Sequence, residues 1–186
     1  MLELKKHLKW IASAGGPFVL IEEASLLRWH GNLEPESSSA FDLQTDYERA
    51  CEVEDYVGAV SVDDKKALIL ALPNDTSAIS INPTTFMVIR WIWGENEDQV
   101  IDSLREFVLE QNWLDTETRI FFNSSVLFLF DSALAGKEVV GSLAAVKPRI
   151  EHLQIETTPG SYSFSTFSYK PNEEVNLFLI LATMVS

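Results

Sequence analysis

Three histidines, one cysteine and 28 acidic residues are the side chains of this 186-residue chain with which acid–base, nucleophilic or metal chemistry would be done. His7, His30 and His152 form no H-x-H or H-x-x-x-H pair, so metal-ligand spacing is missing. The single cysteine, Cys51, excludes a disulfide framework and a thiolate zinc site. As a nucleophile it is badly placed. The pattern puts it on the apolar face of a short helix, and Glu48, Glu52 and Glu54 beside it would raise its pKa and suppress the thiolate. No G-x-S-x-G, Walker A or G-x-G-x-x-G motif occurs, and Gly15-Gly16 reads as a helix stop rather than a phosphate cradle. Carboxylates are so numerous that no acid–base couple stands out. The expectation is a protein without catalytic residues, metal or cofactor. Two alternatives stay open. Trp29-His30-Gly31 places a histidine beside an aromatic, where a small hydrolase would want a general base. An apolar cavity lined by Trp10, Trp29, Trp91, Trp93 and Trp113 would make a ligand-binding module instead, although most of these rings are expected in the core.

The acids carry more information as a distribution. Fourteen Lys and Arg against 28 Asp and Glu give a net charge of −14. A chain that acidic is repelled by nucleic acid and by anionic lipid, so the expected partner is a basic protein and neither of those. The charge lies in two clusters. Asp42 to Asp64 holds eight acids against Arg49 alone, and Glu95 to Glu117 holds eight against Arg105 alone. In the second, Asp98, Asp102, Glu106 and Glu110 recur every fourth residue and form one stripe on a helix, opposite its apolar face. Like charges at that spacing cost roughly 0.2–0.5 kcal/mol per pair, a repulsion that a basic partner would turn into attraction. The candidate contact residues are therefore Asp42, Asp46, Glu52, Asp55, Asp98, Asp102, Glu106 and Glu110.

The elements that must position these residues are short. Hydrophobic residues make up 46% of the chain, enough for a core, and the expectation is one domain over 1–186, or two tightly packed halves of about 1–112 and 113–186. Leu4, Leu8 and Ile11 predict an amphipathic helix over residues 1–13, stopped at Gly15-Gly16-Pro17. Phe18 to Ile21 reads as a strand and Asn32 to Ala40 as an exposed loop. Thr45-Asp46-Tyr47-Glu48 has the form of a capping box, opening a helix with Tyr47, Ala50 and Cys51 on one face. Gly58 to Val62 and Lys66 to Leu72 form a hairpin across Asp63-Asp64-Lys65. Ala78 to Ile81 and Phe86 to Trp93 form another across Asn82-Pro83. Asn96 to Gln111 is the long helix, with Asn96 as cap and Val100, Ile101, Leu104, Phe107 and Val108 on its buried face. Strands resume from Arg119: Val126 to Phe130, Ile150 to Thr157, Ser161 to Phe164 and Val175 to Val185, with a turn at Thr158-Pro159-Gly160. The last is apolar on both faces and so central in its sheet. This pattern is α+β, with mainly antiparallel sheet and a few helices packed on one face. The N-terminus lacks the apolar region of a secretory signal, and no apolar run approaches the roughly 18 residues of a membrane helix, so the expected setting is the cytoplasm.

The order of short motifs resembles the immunity protein 21 family of bacterial polymorphic-toxin systems. The motifs are WIASAGGPFVLI from Trp10, Trp29-His30-Gly31, TDYERAC, DYVGAVSV, ALIL and Ile89-Arg90-Trp91, followed more loosely by FDSALAG and PGSYSFSTFSY. The resemblance implies a binding protein that protects its producer from a cognate toxin, many such toxins being basic nucleases. Within the motifs, Gly15, Gly16, Pro17, Gly31 and Gly58 read as backbone geometry, and Asp46, Tyr47 and Arg49 as a polar network anchoring the short helix. Trp10, Trp29, Asp55, Tyr56, Arg90 and Trp91 complete the structural set. Contact with the partner is expected at the acidic faces and not at these motifs.

Overall fold

The computed structural model describes residues 4, 6–33, 44–143 and 150–185. Among the described residues, ten strands form two five-stranded antiparallel sheets. The first has the order β2 (Val57–Val62), β3 (Lys65–Leu70), β1 (Phe18–Glu22), β7 (Val126–Asp131), β8 (His152–Glu156). The second runs β4 (Thr76–Asn82), β5 (Thr85–Trp93), β10 (Asn176–Val185), β9 (Gly160–Tyr169), β6 (Leu114–Phe122). With the helices α1 (Asp46–Cys51), α2 (Glu97–Glu106), α3 (Gly136–Leu143) and a 3₁₀ helix (Glu23–Arg28), the architecture is the α+β one that the patterning predicts.

The sheets face each other because their central strands are apolar on both sides. Phe18 and Leu20 of β1, Leu127 and Leu129 of β7, Phe86 and Val88 of β5, and Ile180 and Ala182 of β10 meet in one core between the layers. The alternate residues point outward and need cover. Val19, Ile21, Phe128 and Phe130 lie under Leu26 and Trp29 at the 3₁₀ helix, Ala50 of α1 and Val139 of α3. Met87, Ile89, Leu177 and Leu179 lie under Val100 and Leu104 of α2 and under Phe107. Each sheet thus carries its helices on its one outer face. The edge strands β2 and β6 approach each other along one side, and β4 and β8 along the other.

Several local readings match the structure. Thr45 and Glu48 form the reciprocal capping box. The hairpins β2–β3 and β4–β5 form where their turn residues place them, and β10 lies at the middle of its sheet. Asn96 caps α2 by accepting from the Gln99 amide at 3.1 Å.

Others are corrected. Residues 6–13 are not helical. The Leu8 amide donates to Glu97 (2.9 Å), and Ile11 exchanges two 2.9 Å backbone bonds with Thr76. These partners take the amides that a helix would have used, and the segment lies as a strap with Leu8 and Trp10 against the α2 layer. Helix α2 stops at Glu106, because Phe107 turns extended (ψ 135) to bury its ring among Trp113, Phe167 and Tyr169. Val108 is consequently 48% exposed, not buried, and Glu110 falls outside the helix. Cys51 is exposed rather than on the buried face of α1. Helix α3 has no counterpart in the sequence reading. Its start is fixed by the Glu138 carboxylate, which accepts from the Ala135 amide at 2.8 Å. The Thr158-Pro159-Gly160 turn joins β8 of one sheet to β9 of the other and so forms a corner between layers. The Tyr162 hydroxyl secures that corner by donating to the Thr158 carbonyl at 2.7 Å. The expected loop at Asn32 to Ala40 lies mostly outside the described residues, as does Asp42. Among the described residues no helix is long and apolar enough to cross a membrane.

Candidate functional site

The sequence motifs converge on one end of the first sheet, where β1 begins and β7 ends. Asp131, opposite Phe18, accepts from the Ala14 amide (2.8 Å) and from the Ala133 amide (2.9 Å). Ser132 donates its hydroxyl to the Pro17 carbonyl at 2.7 Å, and its own carbonyl accepts from the buried Trp29 indole at 2.9 Å. The Gly136 amide donates to the Trp29 carbonyl at 2.8 Å. Gly31 adopts φ +60, and a Cβ there would lie 2.5 Å from the Ala133 carbonyl oxygen, so only glycine passes. Through this hub the segments around Gly15-Gly16-Pro17, Trp29-His30-Gly31 and FDSALAG brace one another.

The hub also holds α1. The Tyr47 amide donates to the Gly31 carbonyl at 3.2 Å, and the Tyr47 ring fills the space beside Gly16. Asp46 accepts from the His30 amide at 2.5 Å and pairs with Arg49. Arg49 in turn donates to the Ser61 carbonyl of β2 at 2.6 Å. Asp46 is only 8% exposed. Its carboxylate is occupied internally, which removes it from the contact candidates. The hydrogen bond to Cys51 raises the Tyr47 hydroxyl pKa, with burial acting in the same direction.

Arg90 lies between the sheets at 1% exposure, its guanidinium 5.4 Å from the centre of the Phe18 ring. Its Nε and Nη2 have no hydrogen-bond partner among the described residues, and burial pulls its pKa down to about 9. It stays charged at neutral pH. Trp91, on the other face of β5, packs on Trp10 with ring centroids 5.3 Å apart. Gly58 lies within β2 against Val53. Trp93 alone of the five tryptophans is widely exposed, at 64%.

The acids that remain on the surface occupy two places. Asp98, Asp102 and Glu106 are exposed along α2, with Arg105 paired to Asp102 at 2.6 Å. Glu52 and Asp55 are exposed on the chain leaving α1, and Glu110 beyond α2. Asp55 also lines an open cleft of about 290 Å³ between the entry to β2 (Asp55, Tyr56, Val57) and a bulge in β6 (Leu114 to Glu117), with Thr166 of β9 also lining it. The β6 register shifts between Asp115 and Arg119, and Glu117 takes φ +58. Thr116 fixes the bulge by donating to the Phe164 carbonyl at 2.8 Å. Asp115 accepts two bonds from Arg119 (2.8 and 3.0 Å) and one from the Glu117 amide (2.9 Å). The Arg119 guanidinium, then that amide, hold its carboxyl down at about 2. Sequence reasoning counted Asp115 and Glu117 within a cluster but did not select them, and it passed over Leu114. No local signal marks these as neighbours of Asp55.

His30 is exposed and lines none of the three described clefts, and none of those clefts is lined by a tryptophan. No group of three or more His, Cys, Asp or Glu is placed to hold a metal among the described residues.

The fold is thus a pair of facing sheets covered by helices, in which the motif residues brace the backbone and the surface presents carboxylates along a helix and in an edge cleft. Residues 9–175 match the family Immunity protein 21, and the chain belongs to that family of immunity proteins. No curated protein and no solved structure is significantly similar to it.

Proposed function

We propose that this protein works in the cytoplasm by binding and neutralising the cognate toxin of a bacterial polymorphic-toxin system, stoichiometrically and without catalysis. Membership of the immunity family over residues 9–175 carries the reading. The net charge of −14 supports a basic toxin, and a nuclease, whose substrate phosphates demand a basic groove, is the class that such a surface suits. With Asp46 withdrawn, the exposed Glu52, Asp55, Asp98, Asp102, Glu106 and Glu110 are the contact candidates among the described residues, and Asp42, outside them, stays a candidate from the sequence. The field of the α2 acids Asp98, Asp102 and Glu106 would speed encounter with a basic partner more than it would tighten the final complex.

The test starts from the neighbouring gene, which should encode a large multidomain toxin, and co-expresses that toxin with this protein. Cells carrying both should grow, and the two products should co-purify. Association should slow steeply with salt, since at 1 M the Debye length is about 3 Å. Growth arrest in the presence of this protein, or no complex, defeats the proposal. A salt-independent association rate would leave the immunity role and remove the steering.

A further inference from the structure

We propose that the cleft between the β2 entry and the β6 bulge is the anchoring site of the toxin interface, and that it receives an arginine side chain of the toxin. This rests on the immunity reading above. Tyr56 is 57% exposed and Leu114 71% exposed, and both line the same concave site as Asp55, Asp115 and Glu117. Scattered apolar side chains on a surface need no explanation. Here an aromatic ring, an aliphatic side chain and carboxylates from both acidic clusters are gathered in one cleft.

The chemistry of the cleft selects its occupant. Phe178 backs the Tyr56 ring at 5.0 Å between centroids, which steadies the ring while leaving more than half of the residue in water. A guanidinium stacks on such a face and at the same time donates bidentate bonds to a carboxylate, which a lysine ammonium cannot match. Asp115 is committed to Arg119, so Asp55 and Glu117 are the acceptors left for an incoming cation. The anchors are also prearranged. The hub positions α1, whose exit delivers Asp55 and Tyr56, and Thr116 and Asp115 brace the bulge that carries Glu117. Little ordering cost remains at docking. The α2 stripe differs in kind. None of its acids lines a described cleft, so it acts by steering.

The two surfaces therefore separate kinetically. The probe is the toxic domain of the cognate toxin identified by the co-expression test above, inactivated by mutation of its own active site, with rates read by surface plasmon resonance. Tyr56→Ala, and separately Asp55→Asn with Glu117→Gln, should raise the dissociation rate about tenfold or more while changing association less than about threefold. Asp98→Asn, Asp102→Asn and Glu106→Gln together should slow association and leave dissociation nearly unchanged. The double amide variant keeps side-chain shape, so it decides the matter should loss of the Phe178 contact unfold Tyr56→Ala. Unchanged dissociation in the double amide variant, while the wild type binds, overturns the cleft and leaves the immunity function standing. Failure of the wild type to bind the toxin overturns both.

Discussion

Gly136 opens α3 at a point where the chain has no room for any other residue. A Cβ there would lie 1.7 Å from the Leu26 carbonyl oxygen, a backbone atom that cannot turn aside. Gly136→Ala must separate α3 from the 3₁₀ helix, and overpacking of this kind costs about 3 kcal/mol or more. Urea denaturation should show that loss, and a variant as stable as wild type would mean that the hub is more yielding than its geometry says. His152 makes a second residue-scale case. It is 6% exposed beside the Phe128 ring. Burial favours its neutral form and lowers its pKa below the ordinary value, partly offset by the Ile150 carbonyl beside Nδ1 and helped by the nearby Lys9 charge. A base depressed in the folded state lets the unfolded chain take up the proton first. Stability should therefore fall as pH drops through about 6.5, levelling only below the folded pKa. The melting temperature of His152→Gln should fall less than that of wild type between pH 7.5 and 5.5. Parallel curves would show that His152 titrates normally.

Among the elements, α2 does more than cover a sheet. Glu97 in its first turn accepts from the Leu8 amide (2.9 Å), the Trp10 indole (3.1 Å) and His7 Nδ1 (3.3 Å). Those bonds, the Leu8 amide foremost, hold its carboxyl below the usual range. The strap over residues 6–13 is thus tied to the helix by one side chain and to β4 by the Ile11–Thr76 bridge. Glu97→Ala should cost about 1–2 kcal/mol, the worth of hydrogen bonds to a charged group at a partly exposed site. Amide exchange at Leu8 should accelerate while the β5 and β10 amides stay protected. Unchanged exchange at Leu8 would mean that apolar contact alone holds the strap.

At the scale of the whole molecule, both sheets are woven from strands on either side of residue 112. β1 and β3 pair into a sheet with β7 and β8, and β5 pairs with β10. We propose that residues 1–186 form one folding unit, because neither half can build a complete sheet alone. Unfolding should be a single cooperative transition, and fragments 1–112 and 113–186 should be unfolded when expressed apart. An independently folded fragment would restore the two-half description. Such long-range pairing also predicts slow folding for a chain of this size.

What the sequence determined by itself was what near neighbours decide. Thr45 and Glu48 satisfy each other's amides within one turn, and the turns read at Asp63-Asp64-Lys65 and Asn82-Pro83 close hairpins between strands adjacent in the chain, to within a residue. The 3.6-residue period of Val100, Ile101 and Leu104 marks the buried face of α2, and unbroken apolar runs mark the strands covered on both sides. The acid excess, and a motif order matching one family, were equally legible. Tertiary structure decided the rest by competition for groups that local patterns leave uncommitted. Residues 6–13 have a helical spacing, but Glu97 and Thr76 claim backbone groups that the helix would need. Phe107 leaves α2 because its ring gains more among Trp113, Phe167 and Tyr169 than its backbone loses. Asp46 and Asp55 look alike as acids nine positions apart, yet the hub buries one against the His30 amide and α1 delivers the other to solvent. Only the approach of β2 to β6 sets Asp55 and Tyr56 beside Leu114 and Glu117. No periodicity in the chain encodes that meeting, because it depends on how two separate sheets pack.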